Sequence, residues 1–161
     1  MQNPQKILAP YIKEGMTVLE LGCGPGFFTF DIAQMVGTSG RVIAADLQQG
    51  MLEKIRLKMK NSELKGQITL HRCTENTIGI SDNIDFIFLF YMVHEVSDKK
   101  LLFNEIELLL NENGSIFIVE PPFHVSQKAF EEMICIAEGE GLRVVERPKL
   151  FLNKTALLKK H

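Results

Sequence analysis

Twelve consecutive residues constrain this chain more than any others: Val18-Leu19-Glu20-Leu21-Gly22-Cys23-Gly24-Pro25-Gly26-Phe27-Phe28-Thr29, an apolar strand that passes through three alternate glycines into a helix. Glycine is needed where the backbone takes positive φ or where a ligand must approach closer than a Cβ allows, and the N-terminus of the following helix offers unpaired N–H groups to an anion. The turn predicts an α/β fold with a ligand crevice at the strand ends; the plain alternative is a tight strand-to-helix turn that holds nothing. The rest of the chain has the same alternation of short β-branched or apolar runs with longer segments of helical period. Strands are expected at 17–21, 42–45, 67–71, 84–90, 115–120, 142–146 and 155–159, and helices at 4–12, 27–36, 50–60, 99–110 and 126–138. Ser97 with Asp98, and Ser126, supply helix-starting oxygens, while Gly37, Gly139 and Gly141 mark helix ends. The last two strands are joined by a short loop containing Pro148, with no helix between them, which predicts an antiparallel hairpin at the sheet edge.

Composition narrows the class. With 161 residues, 45% hydrophobic and 24% charged, the chain is expected to form one globular domain around a single core. Eighteen basic against twenty acidic residues leave a net charge of −2, so no global positive field gathers nucleic acid or an anionic membrane. The longest apolar stretch, about ten residues around Ile84 to Val93, carries Asp85 and falls well short of the roughly 20 residues that span a bilayer. Positions 1–6 lack a charged-then-apolar leader pattern, an expectation against secretion. Cys23, Cys73 and Cys135 form no CxxC pair and no metal-ligand rhythm with the four histidines, so no metal is expected and a reducing cytoplasm is the expected location. Cys135 falls in the apolar stripe of the last helix and is expected to pack in the core.

The glycine spacing is GxGxG. The dinucleotide fingerprint GxGxxG would place a glycine at Phe27, and Glu20 at the strand end would set a like charge against a pyrophosphate, so a nicotinamide oxidoreductase is the weaker reading. A carboxylate there suits a cationic ammonium instead. No GxxxxGK[ST] loop is present. Asp46 ends the second strand twenty residues after Gly26, where an acid can accept from both hydroxyls of a ribose, and Leu47 beside it can lie against an adenine face. Asp46 also has the alternative of capping the helix that starts soon after it.

On these segments the chain resembles the class I S-adenosylmethionine-dependent methyltransferases, of the small-molecule type that includes ubiquinone and menaquinone C-methyltransferases. The resemblance spans most of residues 10–160 and rests on VLELGCGPGFFT, VIAADLQ, the Cys73–Ile80 loop and IDFIFLFYMVHEV. It implies a Rossmann-like three-layer sandwich with a seven-stranded, mostly parallel sheet of order 3-2-1-4-5-7-6, strand 7 antiparallel. It also implies S-adenosylmethionine as cofactor, with Glu20, Gly22, Cys23, Gly24 and Gly26 around its methionine end, Asp46 and Leu47 on ribose and adenine, and Cys73, Thr74, Glu75 and Phe90 completing the pocket. One departure stands out. Relatives often carry Gly-Asp-Ala after the third strand, where this chain reads Arg72-Cys73-Thr74-Glu75. The adenine amino group is left to Thr74, to backbone carbonyls or to Glu75, with Cys73 either lining the pocket or acting as a nucleophile.

Methyl transfer from a sulfonium needs alignment and, for protic acceptors, a base. His94, after the fourth strand, is the first choice for base or substrate orienter, with helix or loop capping as its alternative. Glu95 follows it and has Lys99 as a possible partner. Tyr91 can flank a sulfonium with ring and hydroxyl. Glu120-Pro121-Pro122-Phe123 superficially matches the Asn/Asp-Pro-Pro-Tyr/Phe motif of amino-group methyltransferases but follows the wrong strand, and no Pro-Cys pair suggests cytosine chemistry, so nucleic acid is not expected as substrate. The prolines are expected to steer the chain over the acceptor pocket. Phe27, Phe28, Met92 and Phe123 near the mouth suggest a partly hydrophobic small acceptor, with core packing as the alternative for all four. One domain is expected over 1–161, with 1–14 as an N-terminal helical lid and 15–161 as cofactor-binding core, alone or as a homo-oligomer. A catalytically silent sensor or accessory subunit is the competing class.

Overall fold

In the computed structural model, residues 3–161 are described, so the first two positions of the expected 1–14 segment lie outside the described residues. The strands are β1 (Thr17–Leu21), β2 (Arg41–Asp46), β3 (Ile68–Arg72), β4 (Ile84–Phe90), β5 (Leu110–Glu120), β6 (Leu142–Glu146) and β7 (Lys154–Lys160). The helices are α1 (Pro4–Leu8), α2 (Thr29–Val36), α3 (Gln49–Met59), α4 (Lys99–Leu109) and α5 (Gln127–Gly139), with 3₁₀ turns at Glu63–Gln67 and Val93–Glu95. The sheet order is β3-β2-β1-β4-β5-β7-β6, parallel except for β7, which runs antiparallel to both β5 and β6. Order and direction match the expectation.

Period-two alternation in the strands feeds both faces of the sheet. In β4, Ile87 and Leu89 face α4 and α5, where Phe103, Ile106, Phe130 and Ile134 complete one cluster. Phe86 and Phe88 point the other way, toward α1, α2 and α3, against Leu8, Ile32 and Ile55. All eleven of these side chains are at most 2% exposed, so each face has its own continuous core. At about 25 cal/mol per Å² of apolar surface removed from water, these two clusters drive the assembly of the three layers.

Several boundaries move for identifiable reasons. The first α2 turn begins at Thr29 rather than Phe27, because the glycine turn runs on through Gly26 at φ +91°. α1 stops at Leu8, since Pro10 lacks the N–H a longer helix needs. β5 begins at Leu110 instead of Ser115: Ile84 pairs with Leu110 and Phe86 with Ser115, so the extra residues bulge out of the ladder. Asp85 holds the distortion, its Oδ1 accepting from the Asn111 amide at 2.7 Å and its Oδ2 from the Thr17 N–H at 2.8 Å.

Three expectations about placement are corrected. Cys135 is exposed, because the buried stripe of α5 runs through Phe130, Met133, Ile134 and Ala137 and leaves position 135 on the outer side. Phe28 is core, 3% exposed and edge-on to Phe88 at 4.9 Å. The segment expected as a lid packs beneath the sheet: Leu8 is fully buried, Ile7 and Ile12 nearly so, and the Tyr11 ring lies 5.0 Å from that of Phe117.

Candidate active site

Strand order reverses between β1 and β4: the chain leaves β1 toward β2 and β3, then crosses back to β4 and β5. Crevices at such a point, outside the carboxyl ends of the strands, are where open α/β sheets bind ligands. A cavity of about 500 Å³ lies there, between the glycine turn, the ends of β2 and β3, the segment after β4 and the start of α4. Its size is that of a small-molecule or cofactor site.

The glycine turn is tied to β2 by backbone. The N–H groups of Gly22 and Cys23 both donate to the Ala45 carbonyl, at 2.8 and 3.0 Å. Gly24 (φ +54°) has nothing within 4 Å of where a Cβ would stand and borders the cavity, so its missing side chain leaves backbone open to a ligand. Gly22 is glycine for a second reason, since a Cβ would meet the Met92 Cβ at 2.9 Å.

Asp46 organises the turn from below. Its Oδ2 accepts from the Gly24 N–H and its Oδ1 from the Gln48 N–H, each at 2.9 Å. Each oxygen keeps a further lone pair, and the residue lines the cavity while only 9% exposed. The capping alternative is thereby partly realised: Asp46 fixes the backbone entering α3, whose N-cap residue, Gln48, makes no side-chain cap bond. Leu47, Met51 and Cys73 line the same wall. Burial, with the charges of Asp46 and Glu105, pushes the Cys73 thiol up to about 11, so it is a neutral apolar wall and not a ready nucleophile. The β3–β4 loop folds back on itself at Thr74 and Thr77, and Glu105 of α4 anchors it, accepting from the Thr77 hydroxyl at 3.0 Å and the Ile78 N–H at 2.9 Å.

Glu20 lies under the turn. It is 3% exposed, faces α2, and accepts from the Thr29 hydroxyl at 2.5 Å. Burial, reinforced by the Asp46 charge and opposed by the Thr29 bond, raises its carboxyl to about 8, so it is mainly protonated at neutral pH. Glu20, Cys23, Gly26, Phe90 and His94 do not border the cavity; Gly22, Gly24, Asp46, Leu47, Cys73, Thr74, Glu75, Tyr91 and Glu95 do. Burial pushes the Cys23 thiol strongly upward as well.

After β4 the chain turns sharply. Tyr91 has φ +56°, a left-handed conformation uncommon for a bulky residue. Its ring stacks on Phe90 at 3.9 Å and its hydroxyl donates to Oδ1 of Asn153, in the β6–β7 loop, at 2.6 Å. His94 Nδ1 pairs with the buried Glu120 carboxylate, and Nε2 lies 4.0 Å from Glu95 Oε1. Lys99 turns to the Val96 carbonyl at 2.7 Å and leaves Glu95 alone. Of the expected mouth residues only Met92 borders the cavity; Phe27 is 47% and Phe123 87% exposed outside it, and Pro121 and Pro122 do not cover it. Sequence reasoning did not find Met51, Leu101 or Glu105; the amphipathic pattern of α4, which leaves the apolar Leu101 outside the core stripe, was the available signal.

The residues present fit an adenosyl cofactor: an acid with spare lone pairs at the β2 end, an apolar slot for a flat base, and bare backbone at Gly24. Fold and site together define a class I S-adenosylmethionine-dependent methyltransferase. The model of the family described as "Methyltransferase domain" matches residues 12–149, and the chain belongs to that family. Among curated relatives, the ubiquinone/menaquinone biosynthesis C-methyltransferase UbiE of Enterobacter sp. is 29% identical over 110 residues, 68% of this chain and 44% of that protein. The demethylmenaquinone methyltransferase of Lactococcus lactis is 29% identical over 120 residues, 73% of this chain and 48% of that one. The chain thus spans about half the length of the curated relatives it matches. A SAM-dependent methyltransferase from Aquifex aeolicus superposes with a TM-score of 0.84 at 28% identity, covering 98% of this chain and 88% of that one. A TehB-like SAM-dependent methyltransferase from Corynebacterium glutamicum shares the fold, with a TM-score of 0.77 at 14% identity over 98% and 87% of the two chains. Among the described residues no group of side chains could hold a metal ion, and no helix is long and apolar enough to cross a membrane.

Proposed function

We propose that this protein transfers a methyl group from S-adenosylmethionine to a small-molecule acceptor, and that it works in the cytoplasm. The observation that carries the reading is the meeting of Gly24, Asp46 and the apolar β3-loop wall around one cavity at the switch point. When bound, the cofactor supplies an activated methyl group on a sulfonium. Asp46 accepts from the ribose hydroxyls with its remaining lone pairs, Leu47, Met51 and Cys73 sandwich the base, and Thr74 or Glu75 takes the amino group. The Gly22–Gly24 backbone receives the methionine end, with Glu20, Cys23 and Gly26 shaping the turn from behind and Phe90 backing Tyr91. Tyr91, His94 and Glu95 stand at the acceptor end: Tyr91 offers a π face to positive charge, and the two titratable groups orient the acceptor or take its proton. The names of the relatives speak of ubiquinone, menaquinone and demethylmenaquinone, and an aromatic acceptor suits the aromatic Tyr91 wall here.

Titration calorimetry with S-adenosylhomocysteine, with NAD as matched control, tests the cofactor half. Binding of the first alone is expected, and Asp46→Ala should weaken it by about 1–3 kcal/mol, roughly ten- to a hundredfold. Preferential NAD binding, or an affinity indifferent to Asp46, would overturn the reading.

A further inference from the structure

We propose that Glu120 is the positioning residue for His94: it fixes the imidazole as the Nδ1–H tautomer and leaves Nε2 as the proton acceptor, on a turn flanked by cavity residues. The inference rests on the methyl-transfer reading above for its chemistry, but not for its geometry.

Glu120 ends β5, directly opposite Lys154 of β7 in the ladder, and its side chain is completely buried. A buried carboxylate is costly unless each oxygen receives a donor. Here Oε1 accepts the Val93 N–H at 2.9 Å and Oε2 pairs with Nδ1 of His94. Burial pushes the Glu120 carboxyl above its ordinary value, while the imidazole and the backbone N–H groups of Val93 and His94 pull it back toward the ionised form. The Val93 bond fixes which oxygen is left for the ring. A neutral imidazole carries one N–H; with that proton on Nδ1, the Nε2 lone pair is open. The ring is about a quarter exposed, and Glu95 faces Nε2 at 4.0 Å. The 3₁₀ turn that carries His94 is bracketed by cavity residues, Tyr91 and Met92 before it and Glu95 and Val96 after it.

An acceptor served by such a base arrives with a proton to lose, as a hydroxyl, N–H or activated C–H. Nε2 takes that proton, the freed electron pair of the acceptor forms the bond to the methyl carbon, and the pair of the broken S–C bond stays on sulfur. The positive charge moves from sulfur to the imidazolium, where the Glu120 carboxylate neutralises it. A tertiary amine or thioether acceptor would need none of this apparatus.

Ring ¹⁵N spectra of the histidine-labelled, cofactor-free chain test the proposal, recorded where the imidazole is neutral, with H94N identifying the His94 signals. The wild type is expected to carry its proton on Nδ1. In E120Q the single amide oxygen stays with the Val93 N–H and the NH₂ turns toward the ring, so the proton should move to Nε2; E120D, which restores a carboxylate, should return it to Nδ1. An Nε2–H wild type, or a tautomer unchanged in E120Q, would overturn the proposal, and if E120Q does not fold the wild-type and E120D spectra decide. S-adenosylhomocysteine should bind wild type and E120Q equally well. Loss of binding in E120Q alone would make Glu120 a structural residue and refute the proposal, whereas no binding by the wild type would refute the methyl-transfer reading and leave the tautomer result standing. Turnover of a proton-bearing acceptor such as 2-naphthol should fall roughly a hundredfold in E120Q.

Discussion

Replacing Glu20 by Gln should remove a large part of the pH dependence of this protein's stability. Glu20 is buried under the glycine turn with its carboxyl raised from 4.5 to about 8, chiefly by desolvation. The folded state therefore keeps a proton that the unfolded chain releases near pH 4.5. A group raised in this way stabilises least at high pH: the penalty is absent below pH 4.5, grows as pH rises, and levels off above pH 8. At about 1.4 kcal/mol per pH unit, the loss is about 3 kcal/mol by pH 7 and about 5 kcal/mol at its limit. Gln keeps an oxygen for the Thr29 hydroxyl, which donates to Glu20 at 2.5 Å, and cannot ionise. Comparing the two proteins cancels the titration of every other group. Urea unfolding at pH 5, 7 and 8.5 reads the difference: the variant should gain on the wild type by about 4 kcal/mol between pH 5 and pH 8.5. Parallel stability curves would refute the argument, for they would mean that Glu20 ionises in the folded protein as easily as in water.

The other consequences are local. Gly24→Ala adds a methyl where nothing lies within 4 Å, at φ +54°, so it should cost about 1–2 kcal/mol of stability but weaken S-adenosylhomocysteine binding at least about tenfold in calorimetry; wild-type affinity would remove Gly24 from the ligand's path. Tyr91→Phe deletes the 2.6 Å bond to Asn153 and should lower stability by about 1 kcal/mol, a fall of roughly 2–4 °C in a thermal melt, and an unchanged melt would show the bond to be dispensable. Leu8→Ala should cost about 2–5 kcal/mol in denaturant titration, because Leu8 is fully buried against the sheet; a neutral effect would show that the N-terminal segment is no part of the core.

What the sequence disclosed divides by range. The glycine turn, the β2 acid and the hairpin are local signals: each needs only neighbours along the chain, and each stands where residue spacing puts it. The bulge that lengthens β5 depends on Asn111 meeting Asp85, 26 residues away, so no pattern near Leu110 announces it. Burial within an apolar run is decided by which face the sheet covers. Phe27 and Phe28 are chemically alike and adjacent in the turn before α2, yet the first is 47% exposed and the second is buried. Cys135 fails for the same reason on α5. Site residues divide the same way. His94 is visible in its segment as an imidazole after a strand, but Glu120 sits 26 residues on, in a stretch whose prolines draw the eye, and Asn153 meets Tyr91 across 62 residues. Both partners join through strand adjacency: β4 lies beside β5, β5 beside β7, and the ends of all three open on the same side. The glycine turn and the acid of the cofactor half, each at the end of its own strand, are written locally. The acceptor half is assembled from three strand ends and depends on the sheet order, so its residues emerge only once the topology is known.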